Sequence, residues 1–219
     1  LAYNAEGQLT RYTDCSGKVS QWDYDALGQL SRFTDAEGNV TTYEYRAGQL
    51  VLLIHPDKTE ERFSRDAEGR LLAHTDGLDR CTTWTYTAAG LVDERVDAAE
   101  QTLRYRWDRL GQLLALENEN QQQAQFHYDP VGRLLKETGF DGRSTQYQYD
   151  PATGRLANTV DGQRITDVQF DPMGRLTERT ARLGSASQSE TFAYDGNGHL
   201  IMATNADSRL QWFHDPAGN

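Results

Sequence analysis

Cysteine, proline and long apolar runs are all scarce in this chain of 219 residues. Its two cysteines cannot build a disulfide framework. Cys15 falls in a turn and Cys81 in a strand several units away, so both are expected to be free thiols. No apolar stretch approaches the ~20 residues needed to cross a bilayer as a helix, so no membrane span is expected. Aliphatic content is low as well: hydrophobic residues make up 37% of the chain and the mean hydropathy is -0.76. That is thin for a globule with a two-sided core. Aromatics at 10% nevertheless exclude a disordered composition. A sheet with one packed face and one wet face fits both facts.

Basic residues are outnumbered, 22 against 33 acidic, for a formal net charge of -11. Such a surface repels phosphate backbones and anionic lipid, so no nucleic-acid partner is expected. No Gly-x-Ser-x-Gly, phosphate loop or dinucleotide fingerprint occurs. The five histidines lack metal-ligand spacing. His74 stands where Phe33 stands in another unit, and His214 where Tyr24 stands, while His199 occupies a slot usually held by Arg or Gln. His55 precedes a turn proline, and His127 lies between two aromatics. No carboxylate pair stands out for glycosidic chemistry. The chain is therefore read as a non-enzyme, with no catalytic, cofactor or metal residue.

What is present is periodicity. One motif recurs: an aromatic, a second aromatic two residues on, Asp, two residues, Gly, any residue, Leu. Trp22-Asp23-Tyr24-Asp25 to Leu30 and Phe126-His127-Tyr128-Asp129 to Leu134 are examples. The marker glycines are Gly7, Gly28, Gly48, Gly69, Gly90, Gly111, Gly132, Gly154, Gly174, Gly198 and Gly218. Their steps are 21, 20, 21, 21, 21, 21, 22, 20, 24 and 20 residues. About eleven repeats thus fill residues 1–219. Residue 1 and Asn219 both fall inside a repeat, which predicts a piece of a longer chain.

Each part of the motif has a physical task. Asp-x-x-Gly suits a type I turn, in which Asp bonds the backbone ahead and Gly takes the left-handed conformation. The same Gly closes a three-residue hairpin loop with a bulge. Proline follows the turn Asp at Pro130, Pro172 and Pro216, where its fixed φ is favoured. The residues assigned these repeat-defining roles are Tyr24, Asp25, Gly28, Tyr45, Gly48, Gly69, Tyr86, Gly90, Trp107, Gly111, Tyr128, Asp129 and Gly132. They continue with Tyr149, Asp150, Gly154, Phe170, Asp171, Gly174, Tyr194, Asp195 and Gly198. The two aromatics share a strand face, and stacked repeats are expected to line their rings into ladders.

A second turn appears mid-repeat at Asp14–Gly17 and Asp35–Gly38, and in altered form at Asp76–Asp79, Asp141-Gly142 and Asp161-Gly162. The polar stretch 117–125 and the stretch 183–189 are assigned to the same turn in their own repeats, which leaves Ser185 to Ser187 as loop. Two turns per repeat leave two strands of six or seven residues. The predicted fold is all-β: tandem hairpins in one long, curled antiparallel sheet of roughly twenty strands. Period-two aromatics and dense Gly turns exclude helical repeats. Open sheet edges predict self-association of the isolated fragment.

Tyr128-Asp129 to Leu134, Phe170-Asp171 to Leu176, and Thr34-Asp35 to Tyr45 resemble the YD repeat of Rhs proteins, and the resemblance covers essentially the whole chain. It implies a segment of a spiral β-shell, as in bacterial Rhs toxins, the C components of insecticidal toxin complexes, and teneurins. It further implies a C-terminal toxin domain of the same parent chain as cargo, and neighbouring repeats as partners. A bacterial protein is implied, made in the cytoplasm and delivered by a secretion system in interbacterial competition. The alternative is a cell-surface adhesin or carbohydrate-binding array that uses Trp22 or Trp84. This sequence departs from the pattern at Arg65 and Trp107, which replace the signature Tyr, and at the short loop after Tyr45. The Rhs core-associated segment is absent from it. Asp215-Pro216-Ala217-Gly218 is similar to an autocleavage site but stands in register with the other turns, and is read as one of them.

Overall fold

Turn chemistry sets the architecture. In the turn after Tyr24, the Gly28 amide donates to the Asp25 carbonyl at 3.0 Å and the Asp25 amide donates to the Gln29 carbonyl at 2.8 Å. Gly28 sits at φ +77, which closes a type I turn with a bulge. The ladder beside it slips by one residue between Asp23 and Tyr24. The same pair of backbone bonds recurs at Asp66–Arg70, Asp108–Gln112, Asp129–Arg133, Asp171–Arg175 and Asp195–His199.

The computed structural model describes residues 1–214; Asp215, Pro216 and Gly218 of the sequence motif lie outside them. The described residues form 21 strands and no helix. They fall into two units, 1–105 and 106–219, divided inside one strand. The first unit holds β1 (Ala2–Tyr3), β2 (Leu9–Thr13), β3 (Val19–Tyr24), β4 (Leu30–Thr34), β5 (Val40–Arg46) and β6 (Gln49–Ile54). It continues with β7 (Glu60–Arg65), β8 (Leu71–Thr75), β9 (Cys81–Tyr86), β10 (Val92–Val96) and the start of β11 (Thr102–Trp107). The second holds β12 (Leu113–Glu117), β13 (Gln123–Tyr128), β14 (Leu134–Thr138), β15 (Ser144–Tyr149) and β16 (Leu156–Asp161). After these come β17 (Arg164–Phe170), β18 (Leu176–Leu183), β19 (Ala186–Tyr194), β20 (Leu200–Thr204) and β21 (Arg209–Gln211). Within each unit, every strand pairs antiparallel with its neighbours in sequence.

Several turns differ from the expectation. The stretch 183–189 is mostly strand, not loop: β18 and β19 run to eight and nine residues and meet at Gly184-Ser185, with Leu183 opposite Ala186. Ser187 is therefore a strand residue. The turn within 117–125 is likewise only Asn118 to Gln122, since its flanks pair as Glu117 with Gln123. Near residue 141 the turn begins at Gly139 instead of Asp141. After Tyr45, Ala47 and Gly48 both have positive φ (50 and 79). That is the two-residue type I′ form, which explains why this loop is short.

Five non-glycine residues hold left-handed φ values: Ala47, Lys58, Asp79, Glu100 and Gln121. The last four take the place that Gly17, Gly38 and Gly142 take in other mid-repeat turns. An L side chain is strained there, although Gly gives back part of the gain as chain entropy. Glu100→Gly is thus expected to stabilise the chain by about 0.5–1 kcal/mol. A urea midpoint raised at constant slope checks this, and a lowered midpoint refutes it.

Burial corrects the picture of a packed face. Among the described residues only Ala115 (8% exposed) and Ala124 (5%) are buried, and no large side chain is fully covered. Within each unit, the strands form a single layer. Its two faces do alternate in character. Trp22, Tyr24, Phe126, Tyr128, Tyr147 and Tyr149 are half-buried on one face, while the residues between them (Asp23, His127, Gln148) are exposed on the other. Glu44, Arg106 and Gln169 are exposed likewise.

Continuous ring ladders do not form. Trp22 lies opposite Phe33 and Phe63 opposite His74, with centroids 5.2 and 4.8 Å apart. Elsewhere the partner across the ladder is not aromatic: Tyr43 faces Leu53, Phe126 faces Glu137, and Tyr147 faces Thr159. Aromatic-rich strands alternate with leucine-rich ones, so equivalent rings are two strands, roughly 10 Å, apart. That is too far to stack.

Candidate functional site

Marker turns follow one another along one edge, two strands apart, and side chains bridge the gap. The main bridge is the residue immediately after each marker glycine. Gln8 Nε2 donates to the Gly28 carbonyl at 2.7 Å. Arg133 Nη1 reaches the Gly154 carbonyl at 3.2 Å, and Arg175 Nη1 the Asp195 carbonyl at 3.2 Å. Arg155 Nη2 reaches the Pro172 carbonyl at 3.0 Å. The side-chain amides of Gln49 and Gln112 lie beside the next marker glycines, Gly69 and Gly132.

Three arginines in this slot are also held at the base and along the flank. Arg70, Arg133 and Arg175 donate Nε–H to Asp66, Asp129 and Asp171 of their own turns at 2.6–2.7 Å. Their guanidinium groups lie 5.0, 4.6 and 4.9 Å from the ring centroids of Tyr86, Tyr149 and Tyr194, the signature tyrosines of the following repeats. At that range a cation is attracted to the ring face. The tyrosine then closes the junction. The hydroxyls of Tyr24, Tyr86, Tyr128, Tyr149 and Tyr194 donate to the carbonyls of Leu9, Leu71, Leu113, Leu134 and Leu176 at 2.7–3.0 Å. The inter-repeat bond is thus polar and charge-assisted, and it stands in for a missing core.

The turn carboxylates are electrostatically committed. Asp25 and Asp35 are held below the usual carboxylate range by the side-chain amides of Gln29 and Asn39. Asp129 and Asp171 are lowered by the backbone amides of Arg133 and Arg175, opposed by desolvation. Asp76 goes furthest, down to about 2, chiefly through the hydrogen bond from Arg80. A carboxyl depressed in the folded state contributes stability that is fully present above its unfolded pKa, near 3.9. That stability is lost as pH falls through the folded value. Urea midpoints are therefore expected to drop between about pH 4 and about 2. A midpoint unchanged down to pH 2.5 would contradict this.

The remaining predicted residues fall as follows. Arg65, in the tyrosine slot, turns back to the carbonyl of its own Gly69 at 3.2 Å. Burial pushes the Tyr45 hydroxyl pKa up. Phe170 and Trp107 end β17 and β11, and Thr87 Oγ1 replaces the turn carboxylate ahead of Gly90, accepting from the Leu91 amide at 3.2 Å. Asp150 opens a wider turn in which Gly154 donates to its carbonyl at 2.8 Å. Trp22 is half-buried against Phe33, and Trp84 sits opposite Arg95.

Two further polar clusters lie on the aromatic face. Glu61 accepts from both His55 Nε2 and His74 Nε2 at 2.8 Å, and these bonds hold its carboxyl below the usual range. Burial, with a hydrogen bond to Glu137 at 2.9 Å, pushes Tyr147 up to about 12. Cys15 and Cys81 are free and exposed. Among the described residues, no group of three or more His, Cys, Asp or Glu side chains is placed to hold a metal ion. No described helix is long and apolar enough to cross a membrane.

The bridging Gln and Arg residues were missed by the sequence reading, although a signal was available: they recur directly after the marker glycine.

A family model described as the RHS repeat matches residues 3–32, 24–60, 65–102 and 128–166. A relative, the Double-stranded DNA deaminase toxin A of Burkholderia cenocepacia (strain H111), is 35% identical over 121 residues, 55% of this chain and 8% of that protein. The crystal structure of TcdB2-TccC3-TEV aligns with 90% of this chain at a TM-score of 0.60 and 16% identity. The Photorhabdus luminescens Tc holotoxin pore aligns with 89% at 0.53 and 18%. At such identities the likeness is one of fold. The chain spans 13% and 14% of those two chains, a small part of each.

Proposed function

This chain belongs to the RHS-repeat family and is a structural segment of repeat wall, and we propose that the wall encloses a toxin domain carried by the same parent chain. The observation that carries the reading is the single layer. A sheet with both faces open and almost nothing buried makes poor sense as a free-standing globule. It makes good sense as a wall. Relatives named as toxins and toxin complexes supply the class of cargo.

In this reading the exposed polar face, with His127, Gln148 and Gln169, is turned toward the cargo. A polar lining keeps a partly folded polypeptide from sticking, because it offers no apolar area to bury. The parent would be bacterial and delivered to competitors by a secretion system. Leu27, Leu110, Val131 and Met173, each 72–83% exposed at the tips of marker turns, would meet other parts of the same assembly. On the isolated chain they would favour self-association.

The test uses the parent protein. Replacing His127, Gln148 and Gln169 by leucine is expected to slow release of the toxin domain severalfold. The toxin domain should also resist protease far longer inside the intact parent than when expressed alone. Equal digestion rates would end the enclosure reading; unchanged release would end only the assignment of the inner face.

A further inference from the structure

One junction pairs two histidines. At the turn Asp195–His199, histidine takes the slot after the marker glycine that Arg70, Arg133 and Arg175 hold elsewhere. At His214, histidine takes the slot of the signature tyrosine. The contacts are reproduced in both places. His214 Nε2 bonds the Leu200 carbonyl at 3.0 Å, as Tyr194 bonds Leu176. His199 Nδ1 pairs with its turn carboxylate, Asp195 Oδ2, at 3.0 Å, as Arg175 Nε pairs with Asp171. The two imidazole rings lie tilted with centroids 5.0 Å apart, where the Arg70, Arg133 and Arg175 junctions place a guanidinium over a phenol ring.

We propose that this junction is an acid-opened lock, in which charging of both His199 and His214 loosens β20 and β21 from the preceding repeats. An arginine over a tyrosine keeps one positive charge at any pH from 4 to 9, so the ordinary junction does not respond to acidification. Imidazole is the side chain whose charge ordinarily changes between pH 5 and 8. In the neutral state one ring can donate to Asp195 and the other to the Leu200 carbonyl without conflict. In acid, two like charges meet at 5.0 Å, and the carboxylate, Asp195, pairs with His199 alone.

Among the described residues, no second carboxylate pairs with either ring, and the ionisable side chains of β19, Glu190 and Tyr194, bond Arg179 and the Leu176 carbonyl instead. Asp195 already accepts from the Asn197 and His199 amides. Arg175, from the preceding turn, adds positive charge by donating to the Asp195 carbonyl. β20 carries no ionisable side chain, and the only one on β21 is Arg209, which is exposed. Asp215, next in sequence, lies outside the described residues. This inference is independent of what the wall encloses.

Hydrogen exchange of the 219-residue chain at pH 7.5 and 5.0, corrected for the intrinsic pH dependence of exchange, tests it. For two unit charges at this spacing, between the bulk-water and the near-surface limits, the open population of β20–β21 should rise by roughly fourfold to a few hundredfold at pH 5.0. Strands β16 and β17, which contain no histidine, should be unchanged. The double variant His199→Arg with His214→Tyr installs the ordinary junction and should abolish the response. His214→Tyr alone, which keeps the donor to Leu200, should reduce it. Protection of β20–β21 that is the same at both pH values, or that falls as far in these variants as in the parent sequence, overturns the proposal.

Discussion

Tyr149→Ala is expected to destabilise the second unit by about 3 kcal/mol, within the range for losing a large ring that is well packed. The ring is half-buried, its hydroxyl donates to the Leu134 carbonyl at 2.9 Å, and Arg133 lies 4.6 Å from its centroid. Tyr149→Phe should cost only about 1 kcal/mol, the net worth of one hydrogen bond. Arg133→Ala should cost about 2 kcal/mol, since it removes the cation above the ring and the bond to the Gly154 carbonyl. It also removes the side-chain donor to Asp129, which keeps its two backbone amide donors. The two alanine variants should couple by 0.5 kcal/mol or more in a double-mutant cycle. Urea unfolding followed by circular dichroism measures all four proteins, and strict additivity would mean the junction is not a unit. Because strands touch only their neighbours in sequence, damage should stay local. Amide protection should fall in β14–β16 and persist in β18–β19.

Gly132→Val is the second large effect, expected to cost about 2–3 kcal/mol. Gly132 holds φ +88, a conformation that a β-branched residue reaches only with strain. A Cβ there would also stand 2.9 Å from Gln112 Nε2 and push the bridging side chain off its turn. Gly142→Val is the matched control. Its φ of +78 imposes the same backbone strain, but a Cβ at Gly142 meets nothing within 4 Å. The difference between the two variants isolates the Gln112 contact, and Gly132→Val should be the costlier of the two. Equal midpoints in urea would show that Gln112 contributes nothing across the junction.

Much of this was legible in the residues. Asp-x-x-Gly at a constant spacing predicts where the chain reverses, because the conformational demand of each turn is met within four or five residues. Period-two aromatics place Trp22 and Tyr24 on one face for the same local reason. Reading failed where a turn was inferred from polarity alone. The stretch 183–189 looks like loop, yet Gly184 lets it fold back after two residues, so Ser187 and Ser189 pair as strand, opposite Arg182 and Thr180.

The junctions were not legible, although all their parts were visible. Arg133, Tyr149 and Gly154 are separated along the chain by strands and turns, and nothing local says that a side chain leaving one turn ends on the carbonyl of the next. The ring ladders failed for a related reason. Equivalent positions share a face, but whether they touch depends on what the strand between them carries. The sequence by itself determined the turns, the strands and the alternation of faces, since each depends on interactions within a few residues. Only the tertiary structure decided what joins one repeat to the next, and that no core lies beneath them. Those contacts depend on distances between turns that the chain reaches only by folding back on itself.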